Sequence, residues 1–146
     1  MIEIKQAALT DVAVITPLFN AYRIFYKQNS DSNGAFNFIT ERLTKKESII
    51  FLAYYNKLPA GFIQMYPIFS SVSMQQTWLL NDLFVADDYR KKGIGNALLT
   101  AAAGFGKQQQ AKWLLLQTGA LNTIAQKLYE KNGWKKETDF FYVLSI

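Results

Sequence analysis

Between Leu80 and Leu99 the chain runs Leu-Asn-Asp-Leu-Phe-Val-Ala-Asp-Asp-Tyr-Arg-Lys-Lys-Gly-Ile-Gly-Asn-Ala-Leu-Leu, and its centre is built to hold an anion. Arg90, Lys91 and Lys92 set three cations beside Gly93 and Gly95, neither of which has a Cβ to keep a phosphate from the backbone. An apolar strand candidate, Leu79 to Val85, leads into this turn. Ala97, Leu98, Ala101, Ala102 and Phe105 follow it at helical spacing. The first amides of a helix lack intrahelical acceptors and carry the positive end of its dipole, so strand, glycine turn and helix make a pyrophosphate cradle. A basic turn that only caps a helix would use the same residue types. A nucleotide P-loop is excluded, because no glycine is followed, after four intervening residues, by Gly-Lys-Ser or Gly-Lys-Thr. A dinucleotide fingerprint would need a small residue where Leu98 stands.

The rest of the composition narrows the chemistry. The chain has no cysteine and no histidine, which removes Ser-His-Asp and Cys-His catalysis and every His/Cys metal site. A general base must then be a carboxylate, a tyrosine, a lysine, an amino terminus or a water. With 146 residues, half of them hydrophobic, the chain can bury one core and is too short for two, so residues 1–146 are expected to form one domain. The net charge of +5 is dispersed over Lys45-Lys46, Arg90-Lys91-Lys92, Lys135-Lys136 and single residues, with no basic run of five. That pattern suits steering of an anionic small molecule better than specific nucleic-acid binding. Met1-Ile2-Glu3-Ile4-Lys5 is strand-like rather than secretory, and no apolar stretch reaches membrane-spanning length. The expectation is a cytoplasmic protein with no membrane partner.

The elements that must position the cradle follow from periodicity. Glu3 to Gln6 reads as a strand. Thr10 is the expected cap of a helix from Val12 to about Lys27, with Asp11 in its first turn and Pro17 as a local kink. Tyr22, Phe25 and Tyr26 at its end either pack the core or wall a substrate pocket. A shorter helix spans Ala35 to Leu43 and ends near Lys45-Lys46. Ser48–Tyr55 and Ala60–Met65 read as a hairpin about Asn56-Lys57-Leu58-Pro59, with Pro67 interrupting the ladder beyond it. After a helix from Ile94 to about Gln109, Trp113–Thr118 returns as a strand parallel to Leu79–Val85 through the helical crossover. Asn122 caps a last helix, Thr123 to Lys131, with Ile124, Ala125 and Leu128 expected inward and Asn132-Gly133 as its stop. Trp134–Thr138 and Phe140–Ser145 read as a closing hairpin, whose exposed edge suggests a homodimer. The sum is one α/β domain: a mixed, mostly antiparallel central sheet of seven strands with helices on both faces.

Arg90-x-x-Gly93-x-Gly95 resembles the arginine/glutamine-x-x-glycine-x-glycine signature of the GNAT superfamily of N-acetyltransferases, which bind acetyl-coenzyme A. The likeness extends from Leu83 to Leu99. It is joined by Asn122-x-x-Ala125-x-x-Leu128-Tyr129-Glu130-Lys131-x-Gly133-Trp134, which is similar to the superfamily's second conserved block. Lys92 departs from the pattern, standing where family members often have glycine. Tyr22-Arg23-x-Phe25-Tyr26, Glu41-Arg42-Leu43 and Tyr66-Pro67-x-Phe69-Ser70-Ser71-Val72 resemble a subgroup that includes yeast enzymes acetylating histone tails, polyamines or D-amino acids.

The resemblance implies a splayed pair of parallel strands with the pantetheine arm between them. Phe84 and Val85 would offer main-chain groups to it, the Val85 amide would polarise the thioester carbonyl, and backbone amides from Lys91 through Ile94 to Asn96 would hold the pyrophosphate. Asn122 would contact the cofactor or serve only as a cap. Tyr129 matches the tyrosine that can protonate the departing thiolate; on residue type alone it is a half-buried tyrosine of an amphipathic helix. Asn81-Asp82 stands where the diamine acetyltransferases have Glu-Asp. Direct carboxylate catalysis is thus out of reach at Asn81, and Asp82 is left as base or as a structural carboxylate at a bulge. Glu41 and Tyr142 are further pocket candidates beside Tyr22 and Tyr26. The implied reaction moves acetyl from acetyl-coenzyme A directly to the amine of a small molecule, without a metal. A protein lysine acceptor and a non-catalytic acyl-coenzyme A module are the alternatives.

Overall fold

A computed structural model describes residues 1–146. Its elements are β1 (Ile2–Gln6), α1 (Val12–Phe25), α2 (Ser32–Thr44), β2 (Ile49–Tyr55), β3 (Leu58–Ser70), β4 (Gln75–Val85), α3 (Ile94–Gln108), β5 (Leu114–Leu116) and α4 (Thr123–Lys131). The five strands lie in chain order in one sheet. β1 to β4 pair antiparallel, and β4 pairs with β5 in parallel, as a crossover through α3 requires.

The sheet is covered on both faces. Ile50, Leu52, Phe62 and Phe84 pack on α1 and α2 through Val12, Ile15, Phe19, Ala35 and Ile39. Ala53, Ile63, Met65, Trp78 and Leu80 pack on α3 through Leu98, Leu99, Ala102 and Phe105. Neighbours such as Phe62 and Ile63 point to opposite faces and are both fully buried, which is why β3 reads as an apolar run rather than as an alternation.

Local chemistry moves several expected boundaries. A 3-10 turn, Leu9–Asp11, precedes α1, so Thr10 is not the cap. The Asp11 carboxylate instead accepts the Ala8 amide at 2.8 Å and the Lys5 ammonium at 2.7 Å, which hold it below the usual carboxylate range. Asn56 and Lys57, at φ 49° and 68°, make a two-residue hairpin turn, and the strand resumes at Leu58. β3 runs through Pro67, which lies opposite Trp78; β2 reaches only Met65, so the proline occupies an edge, where a missing amide is tolerated. Gly106 has a reason: a Cβ there would come within 3.2 Å of Leu114 on β5. Gly104 has no neighbour within 4 Å of such an atom.

Two expectations at the C-terminal end fail. Ile124 is 84% exposed, and only Ala125, Leu128 and Tyr129 of the apolar α4 residues are partly covered. The closing hairpin is not formed: residues 135–146 contribute no main-chain hydrogen bond, so the sheet has five strands rather than seven. An isolated two-stranded hairpin is marginal in water, and neither arm lies on a sheet edge.

The four helices close alike. In α1 the Lys27 amide bonds the Ile24 carbonyl and the Gln28 amide the Arg23 carbonyl, and α2, α3 and α4 repeat this double bond through Lys46/Glu47, Gln110/Ala111 and Gly133/Trp134. The left-handed residue is glycine only in α4; Lys27, Lys46 and Gln110 adopt φ 63°, 55° and 58°.

Candidate functional site

The site begins at a bulge. Met65 pairs with Leu80 and Gln64 with Asp82, which leaves Asn81 as an extra residue in β4. The insertion reverses the facing of everything beyond it. Trp78 and Leu80 point to α3, whereas Asp82 and Phe84 point to α1 and α2. The pairing of β4 with β5 ends at the same place, Leu80 opposite Leu116, while β4 continues to Val85. This is the splay: beyond the bulge, one edge of β4 has no strand beside it. The Ala86 amide bonds the Ala60 carbonyl on the β3 side, so by the alternation of a strand the Phe84 main chain faces β3 and that of Val85 faces the opened edge. Of the two, Val85 is the residue that can donate into the slot.

Below the slot lies the cradle. Lys91 and Gly93 take left-handed conformations, φ 61° and 83°, and turn the chain into α3. The first helical bond runs from the Ala97 amide to the Gly93 carbonyl at 3.0 Å. The amides of Lys91, Lys92, Gly93, Ile94, Gly95 and Asn96 meet no acceptor in the chain, a ring of donors suited to a pyrophosphate. The two glycines differ in purpose. A Cβ at Gly93 would meet only Ile2, at 3.8 Å, so its backbone angle is what demands glycine; a Cβ at Gly95 would come within 2.9 Å of Leu128, so that glycine seats α4 on α3. Arg90 is held by Asp87 at 2.7 Å and the Val85 carbonyl at 3.2 Å, and Lys92 lies 5.3 Å over the Tyr55 ring. Gly93→Ala should therefore cost about 1–2 kcal/mol, read by thermal denaturation as a Tm several degrees lower.

Above the slot is a line of phenols. Tyr22, from the last turns of α1, packs 4.9 Å from the Tyr26 ring, 5.9 Å from Phe62 and 6.3 Å from Phe84. Its hydroxyl donates to the Asn81 carbonyl at 3.4 Å and lies close enough to Asp82 to feel the carboxylate charge. Burial and that carboxylate push its pKa far up, so it is a neutral phenol. Asp82 is 2% exposed and accepts from Gln64 Nε2 at 2.5 Å and Asn81 Nδ2 at 2.9 Å. Burial raises its pKa, opposed by the hydrogen bonds from Gln64, Tyr22 and Asn81. Tyr129, on α4, is pushed up to about 12 by burial and by neighbouring Tyr26. Its ring lies 6.3 Å from Trp134, and its carbonyl is held by the Asn132 and Trp134 amides at 2.9 and 3.1 Å.

The fold thus brings Tyr22, Tyr26, Asn81 and Asp82 together beside the bulge, with Tyr129 near enough to Tyr26 to feel it, and β4 leads through Val85 to the Lys91–Asn96 amides. Asn122 caps α4 through its Oδ1, which accepts the Ala125 amide at 3.2 Å. Glu41 does not join the site: it is ion-paired with Lys45 at 2.5 Å and Arg42 at 3.3 Å on α2, and Lys45 lowers its pKa. Tyr142 does not join it either, being 93% exposed in the C-terminal segment. Gln64 and Tyr66 enter unforeseen. Gln64 is fully buried and holds Asp82; Tyr66 feels the Asp82 charge, and burial raises its pKa. The signal for Gln64 is its place as the one amide in the apolar run Phe62-Ile63-Gln64-Met65. No cluster of three or more His, Cys, Asp or Glu side chains that could hold a metal ion is present, and no helix is long and apolar enough to cross a membrane.

Comparison with known proteins agrees with this geometry. Residues 15–134 match the model of the Acetyltransferase (GNAT) family. An uncharacterized N-acetyltransferase of Bacillus subtilis, YhfO, is 49% identical over 144 residues, which cover 98% of this chain and 97% of that protein. The crystal structure of a probable acetyltransferase superposes with a TM-score of 0.93 at 36% identity, covering 99% of this chain and 97% of that one. A predicted acetyltransferase from Clostridium acetobutylicum, solved with acetyl-CoA, shares the fold at a TM-score of 0.79 and 11% identity, over 99% of this chain and 96% of that one. The six open amides, the opened edge of β4 and the phenols above it are therefore parts of one familiar scaffold, and the chain belongs to the GNAT family of acetyltransferases.

Proposed function

We propose that this acetyltransferase acts on the primary amine of a small molecule, of the amino-acid or polyamine class that the resembled subgroup includes. It works in the cytoplasm and as a homodimer. The observation that carries the choice of acceptor is the row Asp82, Tyr22, Tyr26 and Tyr129 along the slot. A small ammonium ion entering there meets aromatic faces and feels the charge of the closed-off Asp82 carboxylate behind them, both attractive to a cation.

Acetyl-coenzyme A supplies the activated acetyl group; everything else is done by the chain. The Lys91–Asn96 amides hold the diphosphate, and Arg90, Lys91 and Lys92 steer it in. The Val85 amide donates to the carbonyl oxygen where negative charge develops. The amine must shed a proton before it has a lone pair to attack with. Asp82 draws that proton away through the Tyr22 hydroxyl, because the carboxylate is itself closed off. Tyr129, a phenol held neutral by burial, gives a proton to the departing sulfur. With no cysteine in the chain, the acetyl group passes directly to the amine.

The test follows thiol release and acetylated product by mass across a panel of polyamines, amino acids and lysine peptides. Small amines should turn over with the higher kcat/KM. Peptides that outcompete them would identify a protein acetyltransferase instead, and binding of coenzyme A without turnover on any amine would leave an acyl-coenzyme A binding module.

A further inference from the structure

Every residue of β3 from Ala60 to Met65 is buried, and Gln64 is the only one of them with a polar side chain. A leucine there would complete an apolar strand. Glutamine instead carries an amide out of water, and half of that amide goes unmatched, because Oε1 is buried with no hydrogen-bond partner. The other half explains the residue. Nε2 donates to Asp82 Oδ2 at 2.5 Å across the ladder, where Gln64 and Asp82 are paired. On the opposite side Asn81, the extra residue of the bulge, donates through Nδ2 to Oδ1 at 2.9 Å. Each carboxylate oxygen thus holds one amide donor and keeps a lone-pair site free. No ion pair of the chain includes Asp82. The titratable groups facing it are Tyr22 from α1 and Tyr66 from β3, and both phenols feel its charge. Arg42 of α2 reaches only as far as Tyr66 and is itself matched by Glu41 and Glu47.

We propose that Gln64 is a positioning residue for acetyl transfer: with Asn81 it clamps the Asp82 carboxylate between two amides, fixing its orientation and keeping it ready to take the proton that the amine sheds. This rests on Asp82 as the base proposed above. An uncharged donor suits the task. Burial pushes the Asp82 pKa up, and the Gln64 bond is the largest of the contacts that pull it back. With leucine at this position the buried acid would keep its proton further into the neutral range and could accept none there. With lysine or arginine it would be locked in an ion pair, too weak a base for an ammonium. The two amides are not equivalent. Asn81 is exposed and shares its surroundings with water, whereas Gln64 is fully buried, where a hydrogen bond to a charge is stronger.

Two substitutions test the clamp in different ways. Gln64→Leu removes the donor and keeps an apolar strand; Gln64→Glu keeps the shape and sets a second carboxyl against the first, so that the pair shares a proton. The rate of acetyl transfer rises with pH as Asp82 ionises. In Gln64→Leu the midpoint of that rise should move up by about one to two pH units, the worth of one hydrogen bond to a buried charge. Gln64→Glu should move it at least as far. The carboxyl carbon resonance of Asp82, titrated by NMR without substrate, should shift its midpoint in step. A residue that only packed the strand would lower the rate at every pH and leave both midpoints in place. That result, in either variant that melts cooperatively, overturns the proposal. Asp82→Asn is assayed beside them. A pH rise that survives in it removes Asp82 as the base, and the catalytic reading of Gln64 falls with it. A rise lost in Asp82→Asn but unmoved in both Gln64 variants overturns the clamp alone.

Discussion

Tyr129→Phe is expected to slow turnover by about 10²–10⁴-fold, the range typical of a lost general acid, with coenzyme A affinity nearly unchanged. The substitution removes one oxygen and keeps the ring against Trp134, and it leaves the main-chain bonds from Asn132 and Trp134 in place. The cradle amides are untouched. Single-turnover acetyl transfer, set beside calorimetric titration with coenzyme A, separates the two effects. Unchanged turnover would take Tyr129 out of the mechanism, and parallel loss of binding would make its role structural. The pKa of about 12 sets the pH behaviour: the phenol keeps its proton through the neutral range, so Tyr129 imposes no alkaline fall in rate below about pH 11.

Asp82→Asn is the second large effect, a fall in kcat of about 10²-fold or more. The carboxylate can accept a proton only when ionised. Burial raises its pKa, so the rate of the parent should climb with pH through a limb lying above the ordinary carboxylate value. In the variant that limb should vanish along with the activity. Stability responds with the opposite sign. A carboxyl whose folded pKa is raised binds its proton more tightly in the native state, so its ionisation weakens the fold as pH rises from the unfolded value through the folded one. The neutral amide escapes that penalty and keeps an oxygen for one of the two donors, Gln64 or Asn81. Loss of rate in a protein that melts near the parent temperature at pH 7 is the expected pair of results. Wild-type rate in Asp82→Asn would remove the base; simultaneous melting would make Asp82 a structural carboxylate of the bulge.

How far the letters alone reach depends on whether a feature is local. The cradle was readable because glycines, cations and a helical repeat sit within one stretch, and the Asn122 cap and Gly133 stop were readable for the same reason. The bulge was not. Asn81 is an extra residue only with respect to β3, and that relation appears when Gln64 meets Asp82. Gln64 is a lone polar residue in an apolar run and gains meaning only from the carboxylate across the ladder. Periodicity points Ile124 inward only where a neighbour lies on that side, and α4 leaves it exposed. The apolar run Phe140–Leu144 has strand character, but a strand exists only beside a partner, and residues 135–146 make no main-chain hydrogen bond. Residue type alone does not place Glu41 and Tyr142: an ion pair with Lys45 engages the first, and the second lies exposed in the C-terminal segment.

The helix endings have a consequence for the entrance to the site. A left-handed turn costs an L side chain about 1–2 kcal/mol, and α1, α2 and α3 each accept that strain at Lys27, Lys46 or Gln110 where glycine would relieve it. Such ends fray before the helices that carry them. The α1 end is the one that bears Tyr22, Phe25 and Tyr26. An acceptor that enters beside Tyr22 and Tyr26, as proposed, would meet a strained turn at the end of a firmly packed helix, a doorway with some give hung on a rigid frame.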